Sequence, residues 1–166
     1  MKLTDVCSLK EWEALENEIH EKFNFQGAIF DPKGIRITSN RFASNPLCPA
    51  IRAVENGQQF ICSAAHAHMG SQVRKSGKAH VGACDTGMTQ WAVPIFHGTT
   101  FIGMAGGCGL MTQDQKLDPL AISQITGISE EELKEFSPHI PTTTQAEIKA
   151  AVAHVEKRIG QLIQTQ

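Results

Sequence analysis

Cysteines spread through the middle of the chain are the residues best suited to chemistry. They are Cys48, Cys62, Cys84 and Cys108. Each lies beside a turn or small-residue signal, and the last follows Gly106 and Gly107, where a bare backbone allows close approach. One free cysteine alone is usually a small buried hydrophobe. Several in one small domain favour a shared site.

The chemistry of such a shared site would be metal binding, because thiolates are soft ligands that suit zinc and iron–sulfur clusters. The chain has no C-x-x-C pair of the kind on which zinc knuckles depend. Folding would therefore have to bring the dispersed cysteines together. Two alternatives stay open from the sequence: a bound iron–sulfur cluster or zinc, and a metal-free pocket. Cys7 stands apart from the group, and we expect no role for it.

Other candidate ligand-binding residues lie in the same predicted elements. His66 follows Cys62 by four residues on one helical face, where it would contact a metal or donate a hydrogen bond to a polar ligand. A partly exposed helical histidine is the alternative. Trp91, Phe96 and Met104 lie on predicted strands and would line a pocket, although strand aromatics more often belong to the core.

A cysteine-dependent enzyme is the second functional class that these residues allow. Cys62 with His66, or Cys84 with His80 or His97, supplies a thiol and a base. The sequence contains no nucleophile elbow, phosphate-binding loop or other recognised catalytic signature. It therefore favours a binding module over an enzyme.

Length and composition limit the class of protein. The chain has 166 residues, of which 41% are hydrophobic, which is enough for one core and predicts a single domain over residues 1–166. A net charge of −2 gives no electrostatic footprint for direct nucleic-acid binding or for an anionic membrane surface. We find no apolar leader and no stretch of about 20 apolar residues. These features predict a cytoplasmic protein with reduced thiols.

Capping signals predict helices at both ends of the chain. Ser8 and Glu11 form a capping box before an apolar face that runs to Phe23, and Thr144 and Glu147 form another before the last helix. The last helix carries an apolar stripe made of Ile148, Val152, Val155, Ile159, Leu162 and Ile163. We expect this stripe to cover a sheet, with a homodimer seam or another interaction surface as the alternative.

Between these helices, the pattern predicts two short strands, a helical crossover and three further strands. The first two strands surround a Pro/Gly turn at residues 31–34 and end at Thr38. The crossover contains a helix over residues 58–75, and Pro94 predicts an edge position or a bulge. The later strands are predicted over residues 80–84, 88–96 and 100–106. This order predicts an α+β, PAS-like fold: a single antiparallel sheet of about five strands with a helical crossover and flanking N- and C-terminal helices.

The spacing around Cys84 carries a family resemblance. This cysteine is followed by Gly87 and Met88 and then by the Pro94-Ile95 pair. Together with the segment 46–52 and the helix of Cys62, the pattern resembles the PocR sensory domain, a PAS-like ligand-binding module of prokaryotic signalling proteins. The resemblance covers about residues 8–165.

The resemblance implies a module that senses small organic metabolites, such as diols and hydrocarbon derivatives, for a signalling partner protein or a fused output domain. It also implies that the dispersed cysteines occupy the family's recurring positions, with Cys108 slightly displaced and Gln90 in place of a familiar Asp. We therefore predict a small-ligand or redox sensory module. A cysteine-dependent enzyme and an interaction or dimerisation domain are the alternatives.

Overall fold

One antiparallel sheet of four strands forms the centre of the protein, in the order β1-β4-β3-β2. The computed structural model describes residues 1–164. Its strands are β1 (Gln26–Phe30), β2 (His80–Ala83), β3 (Thr89–His97) and β4 (Thr100–Leu110). The predicted combination of helices with a single antiparallel sheet is confirmed.

The expected count of about five strands is wrong, because residues 35–38 do not form a strand. One isolated bridge, between Phe30 and Arg36, joins this segment to β1. The side chains of Arg36 and Thr38 turn instead toward the buried carboxylate of Glu16, which accepts hydrogen bonds from both. Residues 31–46 are consequently a long loop. Side-chain hydrogen bonds attach it to the domain, and backbone pairing with the sheet is limited to that one bridge.

The helices lie before, between and after the strands. They are α1 (Leu3–Val6), α2 (Leu9–Phe23), α3 (Leu47–Arg52), α4 (Glu55–Gly57), α5 (Ala64–Ser76), α6 (Pro119–Thr126), α7 (Glu130–Phe136) and α8 (Gln145–Gln164). A π-helical segment, Gln58–Ser63, joins α4 directly to α5. This segment and α5 together match the crossover helix predicted over residues 58–75. Among residues 1–164, no helix has both the length and the apolar character needed to cross a bilayer.

Side-chain caps start the long terminal helices where the sequence predicts. The hydroxyl of Ser8 accepts a hydrogen bond from the Glu11 amide, and the Glu11 carboxylate accepts one from the Ser8 amide. Thr144 and Glu147 form the same reciprocal pair at α8. Each pair satisfies amide groups that the first helical turn leaves without partners.

Helices cover both faces of the sheet, because alternate residues of a strand point to opposite sides. On one face, α2 packs against β1 and α8 packs against β3 and α2. The largest core cluster lies here and includes Trp91 together with Ile148 and Val155 of α8. The prediction that the stripe of α8 covers the sheet is therefore confirmed. On the other face, α5 packs against β3 and β4.

Pro94 lies where β3 has a neighbouring strand on one side only. Pairing between β2 and β3 ends at Ala92, whereas β4 pairs with β3 as far as His97. Proline cannot donate a hydrogen bond to a ladder and is tolerated at such open edges. The edge position predicted from the sequence is confirmed for this part of the strand.

Candidate functional site

The cysteines of the middle of the chain all line one cavity of about 430 Å³. Cys48 comes from α3, Cys62 from the π-helical segment, Cys84 from the turn after β2, and Cys108 from β4. The remaining cysteine, Cys7, lies against the large core cluster on the opposite face of the sheet. Folding thus gathers the cysteines of four distant segments around one space.

A row of paired residues from three strands forms the floor of the cavity. Gln26 of β1 pairs with Cys108 of β4, which pairs with Gln90 of β3, so their side chains share one face of the sheet. Nε2 of Gln26 donates a hydrogen bond to Sγ of Cys108 at 3.6 Å. Nε2 of Gln90 lies 3.1 Å from Nδ1 of His66 on α5. The sheet therefore orients both the thiol and the imidazole.

The next row of the sheet has only small side chains, and one of them, Ala28, lines the cavity. Ala28 of β1 pairs with Gly106, which pairs with Ala92 of β3. One row further along β1, the ring of Phe30 packs against the imidazole of His66, with 4.4 Å between ring centroids. His66 is consequently held by an amide on one side and by an aromatic ring on the other.

Asn45 joins the long loop to both α3 and β4. Its Oδ1 accepts hydrogen bonds from the amides of Leu47 and Cys48 at 2.9 and 2.8 Å. Its Nδ2 donates to the carbonyl of Gly109 at 2.7 Å. Gly109 has a φ of +96°, and a Cβ atom there would lie 2.6 Å from Nε2 of Gln26, so only glycine fits. The placement of Cys48 depends on this buried amide.

The turn between β2 and β3 presents Cys84 to the cavity. The amide of Cys84 donates to the carbonyl of Met88 at 3.1 Å, and the amide of Gly87 donates to the carbonyl of Cys84 at 3.0 Å. Oγ1 of the buried Thr86 lies 2.8 Å from Sγ of Cys84. These bonds fix the direction of the thiol.

The π-helical segment contributes one wall of the cavity, through Gln58, Ile61, Cys62 and Ser63. A π-helical turn widens a helix locally, and such turns are frequent at functional sites. His66, one turn further along, also lines the cavity. Cys62 and His66 therefore share the helical face that their spacing predicts.

Burial keeps thiols of the wall protonated at neutral pH. It raises the pKa of Cys62 to about 12 and also raises the pKa of Cys84 and Cys108. Repulsion among the cysteines, which would be negatively charged as thiolates, adds to the increase. A protonated thiol is a poor nucleophile. These three thiols are consequently poor nucleophiles unless a bound cation stabilises their thiolates.

The imidazole of His66 is neutral at physiological pH. Burial is the main cause that lowers its pKa to about 4, and the positive charges of Arg36 and Arg52 lower the pKa further. A neutral imidazole has one donor and one acceptor nitrogen. Since Nδ1 faces the Gln90 amide, the other nitrogen is the ring's donor. His66 therefore suits a neutral hydrogen bond better than proton transfer.

The spacing of the cysteines around the cavity bears on which metal group they could hold. Within residues 1–164, no three side chains among histidine, cysteine, aspartate and glutamate converge closely enough to share one ion. Tetrahedral zinc requires such convergence, with sulfur ligands at about 2.3 Å from the metal. In a cubane iron–sulfur cluster each iron takes its own cysteine. The ligands of such a cluster therefore lie further apart than those of a single zinc ion.

The predicted ligand-binding residues fall in different places. His66 lines the cavity. Trp91 is 1% exposed and packs edge-on against Phe25 in the core on the other face of the sheet. It follows Gln90 of the cavity floor, and successive residues of a strand point to opposite faces. Phe96 packs against Phe101, and Met104 is buried in the cluster beneath α5. Of these four predicted residues, only His66 faces the cysteine-lined cavity.

Several polar residues of the site were not predicted from the sequence. Gln26 and Gln90 are buried amides inside apolar strands, and this contrast is a signal that the sequence does contain. Arg36, Arg41 and Arg52 also line the cavity. No local pattern marks these arginines, because they come from a loop and from the end of a short helix.

Comparison with known families identifies the domain that contains this cavity. A family model described as the sensory domain found in PocR matches residues 5–166. The chain belongs to the PocR sensory-domain family. Comparisons with curated proteins and with solved structures find no match. The resemblance seen in the sequence is confirmed, and the cysteine-lined cavity lies within this PocR domain.

Proposed function

We propose that this PocR domain is a small-ligand sensory module and that the cysteine-lined cavity is its sensing site. The observation that carries the proposal is that one cavity collects Cys48, Cys62, Cys84 and Cys108 from separate elements. Its volume of about 430 Å³ lies in the range of small-molecule sites. The wall combines apolar surface with a few fixed polar groups, as ligand sites usually do.

The mechanism that we propose is a shift between two packings of the cavity wall. An occupant would contact the loop 31–46, α3 and the π-helical segment at once. It would stabilise the arrangement in which these elements bind it best, in proportion to its differential affinity. A signalling partner or an output domain fused to the PAS-like module would respond to that arrangement. The proposed setting for this signalling is the cytoplasm, without direct contact to nucleic acid.

An iron–sulfur cluster is a second candidate occupant, and it is favoured by the arrangement of thiols that do not converge on one point. Cys48, Cys62, Cys84 and Cys108 would hold it, and it would supply one-electron redox chemistry. Cationic side chains of the wall would offset the negative charge that such a cluster and its thiolates carry. Zinc is the less favoured metal, because it requires the closer convergence of a tetrahedral site.

A test of the ligand site uses a variant that fills the cavity. Ala28 faces the cavity from the floor, so Ala28→Leu would occupy its space while the sheet remains apolar at that position. We expect small organic compounds that raise the melting temperature of the wild-type protein to have no such effect on this variant. Ala121→Leu, on α6 and away from the cavity lining, is the matched control. Compounds that stabilise wild type and Ala28→Leu equally would contradict the proposed site.

A test of the cluster uses protein purified without oxygen and supplied with iron and sulfide. We expect visible charge-transfer absorption, with iron and acid-labile sulfide in equal amounts. Serine variants of Cys48, Cys62, Cys84 and Cys108 are each expected to lose the absorption, whereas Cys7→Ser retains it. Colourless protein without iron would reject the cluster and leave the organic-ligand proposal to its own test.

A further inference from the structure

We infer that the ligand of the cavity is a small organic carboxylate, bound through Arg52 and Arg41 at the cavity mouth. This inference rests on the proposed ligand-binding function and names the class of ligand. A neutral diol, a cationic amine and a carboxylate differ in charge and therefore need different side chains in a cavity wall. The charges of this wall distinguish among them.

The first observation is the charge of the wall. Arg36, Arg41 and Arg52 line the cavity. Among the residues that the structure describes, its lining includes no aspartate or glutamate. Charges in a partly enclosed space of lower dielectric are felt more strongly than on an open surface. The wall consequently favours an anion and disfavours a cation.

The second observation is that Arg36 is already occupied by the protein. Its Nη2 donates to the Glu16 carboxylate at 3.2 Å and to the Gly27 carbonyl at 3.0 Å, and its Nε donates to Thr38. Glu16 is buried and balances the charge of this guanidinium. Arg36 therefore contributes mainly to the structure of the wall, and we do not assign it as the ligand's anchor.

The third observation is that Arg52 and Arg41 retain donors. Within residues 1–164, the one hydrogen bond of the Arg52 side chain is a long contact of 3.4 Å from Nη2 to the Phe42 carbonyl. Arg41 uses only Nη1, which donates to the carbonyls of Thr38 and Asn40. Neither guanidinium pairs with a carboxylate among these residues. Each presents further N–H groups in the planar arrangement that binds a carboxylate with two parallel hydrogen bonds.

The fourth observation is the position of these groups relative to the apolar wall. Arg41 is exposed and Arg52 is half-buried, whereas Ile51, Ile61 and Met88 are buried parts of the lining. A ligand with a charged head and an apolar body would therefore place its head toward the arginines and its body toward the thiols. The carboxylate would keep partial access to water, which reduces the cost of desolvating it.

The test measures binding of matched acids and amides by calorimetry. Propanoate, butanoate and hexanoate are compared with propanamide, butanamide and hexanamide, which have the same shape without the charge. We expect at least one acid to bind wild type about ten- to hundred-fold more tightly than its amide, the factor that a charge-assisted hydrogen bond supplies. An amide that binds as tightly as its acid would overturn the inference.

Variants then assign the preference to the two arginines. Arg52→Gln and Arg41→Gln keep polar donors but remove the charge, and each is expected to lose most of the preference for the acid. Arg74→Gln is the matched control, because Arg74 lies outside the cavity and over the ring of Phe101. A preference that survives in the Arg52→Gln, Arg41→Gln double variant would also overturn the inference.

The outcomes separate this inference from the proposed function. Amides or alcohols that bind wild type without a preference for the acid, and fail to bind Ala28→Leu, would leave the sensing site in place and reject the carboxylate. The measured iron content distinguishes an anionic cluster from an organic acid as the occupant. Failure of every acid to bind, in iron-free and iron-loaded protein alike, would reject the carboxylate.

Discussion

At the scale of single residues, burial sets the charge of titratable groups that line the cavity. Burial raises the pKa of Cys62, Cys84 and Cys108 and lowers the pKa of His66. These three thiols and the imidazole are thus neutral at physiological pH. Under the proposals above, the occupant would bring its own charge, whether as a metal cluster or as an anion.

The lowered pKa of His66 has a consequence for stability against pH. In the unfolded chain this histidine titrates near 6.5, whereas in the folded protein its pKa is about 4. Between these values the unfolded chain binds a proton that the folded protein does not, so acid favours unfolding. We expect the free energy of unfolding of wild type to fall relative to that of His66→Gln as the pH is lowered from 6.5 toward 4. Above pH 6.5 the curves of the two proteins should run parallel. Urea denaturation across this range measures it.

The control for this pH dependence is His68→Gln, which alters an exposed residue on the same helix. Curves of wild type and His66→Gln that remain parallel down to pH 4 would show that folding does not lower the pKa of His66.

The buried amide of Asn45 is a second residue whose loss should be costly. Asn45→Ala would leave the amides of Leu47 and Cys48 and the carbonyl of Gly109 without their partner. We expect a loss of about 2–4 kcal/mol in the free energy of unfolding, measured by chemical denaturation. Ser129→Ala removes an exposed cap and should cost only about 1 kcal/mol. Equal costs would argue against the role assigned to Asn45.

At the scale of secondary-structure elements, β1 and β3 each carry a glutamine on the cavity face, whereas the core on the opposite face is apolar. Gln90 and Trp91 are neighbours in the chain but lie on opposite faces of β3, one in the site and one in the core. Successive side chains of a strand point to opposite faces, so neighbouring residues can belong to the cavity and to the core. The helix α8 covers the apolar face, far from the cavity lining.

The burial of α8 predicts its contribution to stability. Ile148 is 1% exposed in the core cluster that α8 forms with α2 and the sheet. Ile148→Ala should lower the free energy of unfolding by about 2–5 kcal/mol, whereas Lys149→Ala, at an exposed neighbouring position, should change it by less than about 0.5 kcal/mol. Thermal and urea denaturation at two protein concentrations would measure both. A loss that depends on concentration would instead indicate a dimer seam.

At the scale of the whole molecule, the buried residues form separate clusters around the sheet. The largest contains α2, α8 and the apolar face of the strands. A smaller one joins α3, the π-helical segment, α6 and α7, and it borders the cavity. Because the cavity replaces packed side chains between this smaller cluster and the floor of the sheet, the two sides of the molecule should differ in local stability.

Native-state hydrogen exchange would measure this difference. We expect the amides of α6 and α7 to exchange through local openings of lower free energy, and those of β3, β4 and α8 to exchange only on global unfolding. Added denaturant should accelerate the second group more steeply than the first. Exchange of α6 and α7 that is as slow as that of β4 would contradict the division.

Local chemistry in the sequence determined most of the elements. The reciprocal caps at Ser8 and Thr144, the apolar face of α8 and the edge proline Pro94 act over a few residues, so their consequences are visible without the fold. The predicted strand after Gly34 was wrong because a distant contact decides the structure of this segment. Arg36 and Thr38 bind Glu16, which lies in α2, and no local pattern contains that contact.

What only the tertiary structure decided is which chemical groups meet. The sequence singled out the cysteines by type, but their position around one cavity depends on strand register and on how α3 and the π-helical segment pack. The same register placed Trp91 in the core and brought Gln26 beside Cys108. The arginines joined the site because a loop and a helix end converge there. Long-range pairing sets such contacts, and residue type and spacing along the chain do not encode them directly.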